Sequence, residues 1–261
     1  MGCAGDISDM SGASGPNDGR TEPAGLAARW AEVQQRVAAA CRAAGRDPAE
    51  VTILPVSKTF GADVIRAAVA LGMRRLGENK VQEIRAKAEP LADCGIAWVM
   101  IGHLQTNKAR DVARLASEVQ SLDRIELAQA LDRRLQNEGR SLDVLVQVKT
   151  STEESKYGLP PAELPAFLDR LAAFETLRVR GLMTLAIHTH EPEQVRACFR
   201  RLRELRDDAR ARGHDVARLS MGMSGDFGLA IAEGSTEVRI GTAIFGARPY
   251  PDSYYWPEGG G

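Results

Sequence analysis

Apolar residues and alanines recur at helical spacing from Leu26 to Ala44, and the pattern stops at Gly45, which predicts one amphipathic helix ended by a glycine. Beyond it the period changes. Eight short runs rich in Val, Ile and Leu lie at 51–57, 74–77, 97–102, 119–122, 144–148, 179–185, 217–222 and 238–246, each bounded by polar or glycine-containing residues. Between them, apolar positions three and four apart predict helices at 61–71, 80–91, 106–116, 124–138, 161–173 and 191–212, with a short one near 226–233.

Strands that alternate with helices predict βαβ units, because parallel strands need a crossover long enough to return along the sheet. Eight such units in roughly 235 residues match a (β/α)8 barrel better than a doubly wound sheet, and no GxGxxG follows the first strand. The expected fold class is α/β, a single-domain (β/α)8 TIM barrel over residues 25–250 with an extra N-terminal helix. Residues 1–24 are rich in Gly, Ser, Asp and Pro and offer almost nothing to a core, so they are expected to form a disordered tail. Residues 251–261 are expected to be a C-terminal tail.

Composition narrows the function. With 44% hydrophobic and 26% charged residues among 261, the chain can build one large core. A formal net charge of -1 gives no overall basic field to recruit nucleic acid or an anionic membrane, so a small-molecule site is the expectation. The cysteines lack CxxC spacing, which argues against a zinc knuckle or a disulfide framework and for a reducing compartment. No apolar run approaches the roughly 20 residues of a membrane span, and the acidic start lacks the features of a signal peptide. A cytoplasmic monomer is expected.

In a barrel, chemistry belongs at the C-terminal ends of the strands. The first run ends at Lys58 and the fifth at Lys149. A lysine held there between apolar walls is desolvated, which lowers its pKa and frees the amine to condense with a carbonyl. The plainer reading is a side chain that snorkels to solvent. Spacing alone does not choose between Lys58 and Lys149. At the far end of the chain, SMGMSGD (220–226) and RIGTAIFG (239–246) place glycines and hydroxyls around the seventh and eighth strands, the usual phosphate corner of barrels. A reactive lysine and a phosphate cup together point to a phosphorylated carbonyl compound.

The stretches VSKT around Lys58, GENKVQE (77–83), IGHLQTNK (101–108), ESKYG (154–158), RGLMTL (180–185), LSMGMSGD (219–226) and VRIGTAIFGAR (238–248) occur in this order. Together they resemble the successive signatures of the pyridoxal phosphate homeostasis proteins, the YggS/PROSC group, over about 26–250. The resemblance implies the fold-type III barrel of the alanine racemase N-terminal domain, with pyridoxal 5′-phosphate held by Lys58 as an internal aldimine. Lys149 sits where the family requires no lysine. Ser220 and the Gly241–Thr242 pair would hold the phosphate, with Met223 and Ser224 of the same loop also at the cofactor. Arg239 would face the pyridine nitrogen, and Asn79 and His103 would lie near the ring or the mouth. Lys156 could make a second, transient contact. The sequence departs from the pattern at Gly225, where members often carry an acidic residue, and the two tails are not covered.

An arginine stays protonated, so a pyridine nitrogen facing it stays unprotonated and the ring becomes a weak electron sink. That disfavours aminotransferase or decarboxylase chemistry. A racemase of this fold would need a second acid/base from an additional β domain and a partner subunit. The role the resemblance implies, and with which this chemistry agrees, is homeostasis of pyridoxal 5′-phosphate by a carrier that buffers it and hands it to apo forms of enzymes that use it, rather than catalysis. The alternatives are a small amino-acid racemase using the same lysine, and a cofactor-free Schiff-base aldolase acting on a sugar phosphate. His188 and His190 have no evident third ligand, so no metal is expected.

Overall fold

The computed structural model describes residues 23–151, 153 and 157–247. The expected tails and Lys156 therefore fall outside the described residues, except that the first helix starts slightly earlier than its pattern, at Pro23.

All eight expected strands form: β1 (Thr52–Pro55), β2 (Arg75–Glu78), β3 (Ala97–Met100), β4 (Ala116–Leu122), β5 (Leu142–Gln147), β6 (Leu177–Met183), β7 (Arg218–Ser220) and β8 (Glu237–Ile240). Every pair is parallel, in the order β1-β8-β7-β6-β5-β4-β3-β2. The ring closes between its first and last members through the parallel bridge Val56↔Gly77, where the Ser57 N–H donates to the Gly77 carbonyl at 3.1 Å. The result is a (β/α)8 barrel.

Outside it lie α1 (Pro23–Ala43), α2 (Ala62–Ala70), α3 (Val81–Ala88), α4 (Ala109–Leu115), α5 (Ile125–Glu138), α6 (Leu164–Leu171), α7 (Pro192–Ala211), α8 (Phe227–Ala232) and α9 (Thr242–Phe245). α7 shows why the sequence pattern was legible. Val195, Cys198, Phe199, Leu202, Leu205 and Ala209 are buried at spacings of three and four, and Pro192 opens the helix where its missing N–H costs nothing. α1 is the extra helix, and its Arg29 side chain donates to the Ile244 carbonyl at 2.8 Å, tying it to α9.

One element differs from the pattern. The apolar run 238–246 reads as a single strand, but the chain leaves the sheet after Ile240 and winds into the single turn of α9. Gly241 makes the break: its carbonyl accepts from the N–H groups of Ile244 and Phe245, both at 2.9 Å. Phe245 then turns against Phe60, with ring centroids 5.2 Å apart, so the apolar residues of the run pack a helical corner instead of a strand.

The barrel interior is polar as well as apolar. Glu118 and Gln120 of β4, Ser220 of β7 and Glu237 of β8 are all buried, and their side chains meet. Gln120 donates to Glu118 at 2.7 Å and to Glu237 at 2.5 Å, and it accepts from Ser220 at 2.7 Å. Arg75 and Arg218 close this layer, each bonded to both Glu118 and Glu237. Burial alone would raise the Glu237 carboxyl, but the two guanidiniums hold it below the usual carboxylate range. Charges taken this far out of water are tolerated because each finds partners.

Candidate functional site

A cavity of about 1220 Å³ opens where the strands end. Lys58, two residues beyond the Val56 bridge, lines it and is partly buried. Asn79 comes from the end of β2 and His103 from the loop after β3. Gly102 lets that loop run close to β2, since a Cβ there would lie 2.1 Å from the Asn79 carbonyl oxygen. Met223 and Ser224 line the cavity from the loop after β7, and Arg239, Gly241 and Thr242 line it from β8 and its turn into α9.

The loop after β7 is shaped by two devices. Gly222 has φ +99, and a Cβ on it would meet the Ala230 Cβ at 2.6 Å, so only glycine lets α8 pack this closely. Asp226 reaches back to accept from the Met223 N–H at 2.5 Å, while the Met223 carbonyl accepts from the Asp226 and Phe227 N–H groups. Ser224 and Gly225 form the crest of this turn, facing the cavity.

Arg239 is fixed from below. Its guanidinium donates to the Ser220 carbonyl at 2.7 Å, the Ser220 hydroxyl at 2.8 Å and the Thr184 carbonyl at 2.8 Å. Complete burial lowers its pKa to about 10, so it remains a cation at neutral pH. Ser220, expected at the phosphate, is not among the residues that line the cavity. It points into the barrel, 0% exposed, with its hydroxyl engaged by Gln120, Glu237 and Arg239. The hydroxyl-bearing residues that do line the cavity in this corner are Ser224 and Thr242.

The two lysines that spacing could not separate are separated by position. Lys149 lines a smaller neighbouring pocket of about 650 Å³, together with Asp123 and Arg124. Between the pocket and the cavity stand His103 and Tyr157, stacked with ring centroids 3.9 Å apart and touching both spaces. Burial lowers the His103 pKa, with Asp123 opposing and Arg124 adding to the shift, so the imidazole is neutral at pH 7.

Several cavity residues carried no signal in the sequence. Phe60 of the loop after β1, Gln147 at the end of β5 and Ala186 and Ile187 after β6 all line it. Gln147 donates to the Tyr157 carbonyl at 2.9 Å and so braces the aromatic wall. Their positions at strand ends were readable, but apolar or amide side chains there look like ordinary barrel filling.

Over residues 29–249 the chain matches the family described as alanine racemase, N-terminal domain. It is similar to the pyridoxal phosphate homeostasis protein of Pseudomonas aeruginosa, 45% identical over 225 residues that cover 86% of this chain and 96% of that protein. It is also similar to the pyridoxal phosphate homeostasis protein of Escherichia coli strain K12, 41% identical over 230 residues covering 86% of this chain and 97% of that one. Among solved structures it is similar to PipY of Synechococcus elongatus PCC7942 with PLP bound, at a TM-score of 0.75 and 35% identity, covering 85% of this chain and 100% of that chain.

Proposed function

The chain belongs to the alanine racemase N-terminal domain family and, within it, to the pyridoxal phosphate homeostasis proteins, and on that premise we propose that it binds pyridoxal 5′-phosphate through Lys58 and serves to buffer and release it in the cytoplasm. The observation that carries this reading is the convergence of Lys58, the Met223–Asp226 loop, the Gly241–Thr242 turn and Arg239 on one cavity at the C-terminal ends of the strands. When bound, the cofactor supplies an aldehyde that condenses reversibly with a primary amine and releases water.

The residues present fit such a group. The cavity is ample for it, and Lys58, which lines it, would be its attachment point. Ser224, Thr242 and the backbone of the two glycine-containing turns would receive the phosphate, while Asn79 and His103 would border the ring. Arg239 would present a fixed cation to the ring nitrogen and keep it unprotonated, which limits the stabilisation of carbanions. That supports a carrier rather than a catalyst. Apo forms of enzymes that need the cofactor would be its transient partners, and the chain would act as a monomer.

Titration of the purified protein with pyridoxal 5′-phosphate tests the reading. It predicts a visible absorption band that is stable to dialysis, is fixed to Lys58 after borohydride reduction and peptide mapping, and decays when an apoenzyme acceptor is added. Absence of the band would sink it. Incubation with L-amino acids, followed by chiral chromatography, should yield no D-isomer.

A further inference from the structure

Lys58 is flanked by two residues that a single cluster, buried at Glu78 and Lys87 and half-buried at Glu83, grips from outside the cavity. On the N-terminal side, the Ser57 carbonyl accepts from Lys87 Nζ at 3.0 Å and the Ser57 hydroxyl donates to Glu78 Oε1 at 2.7 Å. On the C-terminal side, the Thr59 N–H donates to Glu83 Oε2 at 2.6 Å. Lys87 joins the two halves, donating to Glu78 Oε1 at 2.8 Å and to Glu83 Oε2 at 2.9 Å. The Glu78 and Lys87 side chains are 0% and 9% exposed, so this ion pair lies out of water.

The segment it holds is strained. Thr59 has φ +73, the only positive φ among the described non-glycine residues, and a β-branched residue is poorly suited to that region. Such a conformation persists only where the surroundings over-determine it. Here the surroundings are the Glu83 carboxylate, placed by α3, and the Lys87 ammonium one turn further along. A lysine has four side-chain torsions, and where its amine arrives depends on the backbone it leaves from.

We propose that Glu78, Glu83 and Lys87 are positioning residues that hold the Ser57–Lys58–Thr59 turn in its strained form and thereby aim the Lys58 amine into the cavity. The cluster's role deepens the reading of Lys58 as the attachment point and rests on it for its importance, but its effect on the turn stands by itself.

The test is a set of variants examined both by crystallography of the cofactor-free protein and by cofactor titration. Glu83→Ala removes the acceptor of the Thr59 N–H. In its structure Thr59 should leave the positive-φ region and the Lys58 amine should leave the cavity, with affinity for pyridoxal 5′-phosphate falling about tenfold or more. Glu83→Gln keeps an acceptor oxygen and should bind within about twofold of the parent. Glu83→Ala combined with Thr59→Gly should recover binding, because glycine adopts positive φ without strain. If Glu83→Ala is insoluble, Glu83→Asp, which retracts the oxygen by one methylene, gives the same two readouts. An unchanged turn with Lys58 still in the cavity would overturn the proposal, as would a moved turn with unaltered binding. A parent protein that binds no cofactor would instead defeat the assignment of Lys58 as the attachment point, while the crystal structures would still decide whether the cluster sets the turn.

Discussion

Arg239 of β8 grips Ser220 of β7 twice, through the backbone carbonyl at 2.7 Å and the hydroxyl at 2.8 Å, and this pairing takes the Ser220 hydroxyl out of the cavity. Replacing Ser220 with alanine should therefore act on stability more than on binding. The variant leaves Gln120 without its donor inside the barrel, and unfolding should be easier by about 1–3 kcal/mol, read from denaturant melts. Affinity for pyridoxal 5′-phosphate should change less than it does in Ser224→Ala or Thr242→Ala, which remove hydroxyls from residues that line the cavity. A Ser220→Ala protein with full stability and lost binding would contradict this division.

Position also separates the lysines in a measurable way. Lys58→Ala should abolish the visible band of the loaded protein, while Lys149→Ala, altered in the adjoining pocket behind the His103–Tyr157 stack, should keep it. Peptide mapping after borohydride reduction should find the label on the peptide holding Lys58. Label on the Lys149 peptide in the parent protein would reverse the assignment.

What the sequence made legible was the framework. The alternation of β-branched runs with amphipathic segments predicts all eight strands, because strand and helix bury their faces with different periods, and that difference is visible in one chain. Lys58, Asn79, His103, Met223, Ser224, Arg239, Gly241 and Thr242 fall at strand ends and do meet around one cavity. Two things were hidden. The inward or outward aim of a strand-end residue depends on the parity of its register, so Ser220 could be placed at the corner but not on the correct side of its floor. The Glu78–Lys87 pair was equally opaque: on α3 Lys87 is four residues from Glu83, which reads as an ordinary surface pair until the fold buries it.

Gly222 offers a test of how the phosphate corner is built. A methyl group there would collide with Ala230, and φ +99 is unfavourable for alanine in any case. Gly222→Ala should cost about 2 kcal/mol or more in stability and loosen the Met223–Asp226 turn. Cofactor binding should weaken in parallel. By contrast, a Cβ added at Gly225 would meet nothing within 4 Å, so Gly225→Ala should remain close to the parent in melting temperature. Equal losses at both positions would mean that the loop is set by something other than its packing on α8.

The Glu78 carboxyl gives a pH dependence with a definite sign. Burial pushes it up to about 7, against the opposing pull of Lys87. The unfolded chain releases that proton near the ordinary value of about 4.3, so across the interval the folded state binds more protons than the unfolded one. The contribution to stability is thus fully present below about 4.3 and is lost as pH rises through about 7, an effect on the order of 3 kcal/mol. Glu78→Gln keeps an acceptor for Ser57 and Lys87 but cannot titrate. Denaturant melts of both cofactor-free proteins between pH 5 and pH 8 should show the variant gaining on the parent as pH rises. A constant difference across that range would mean that Glu78 is ionised throughout, held so by the Lys87 ammonium 2.8 Å away.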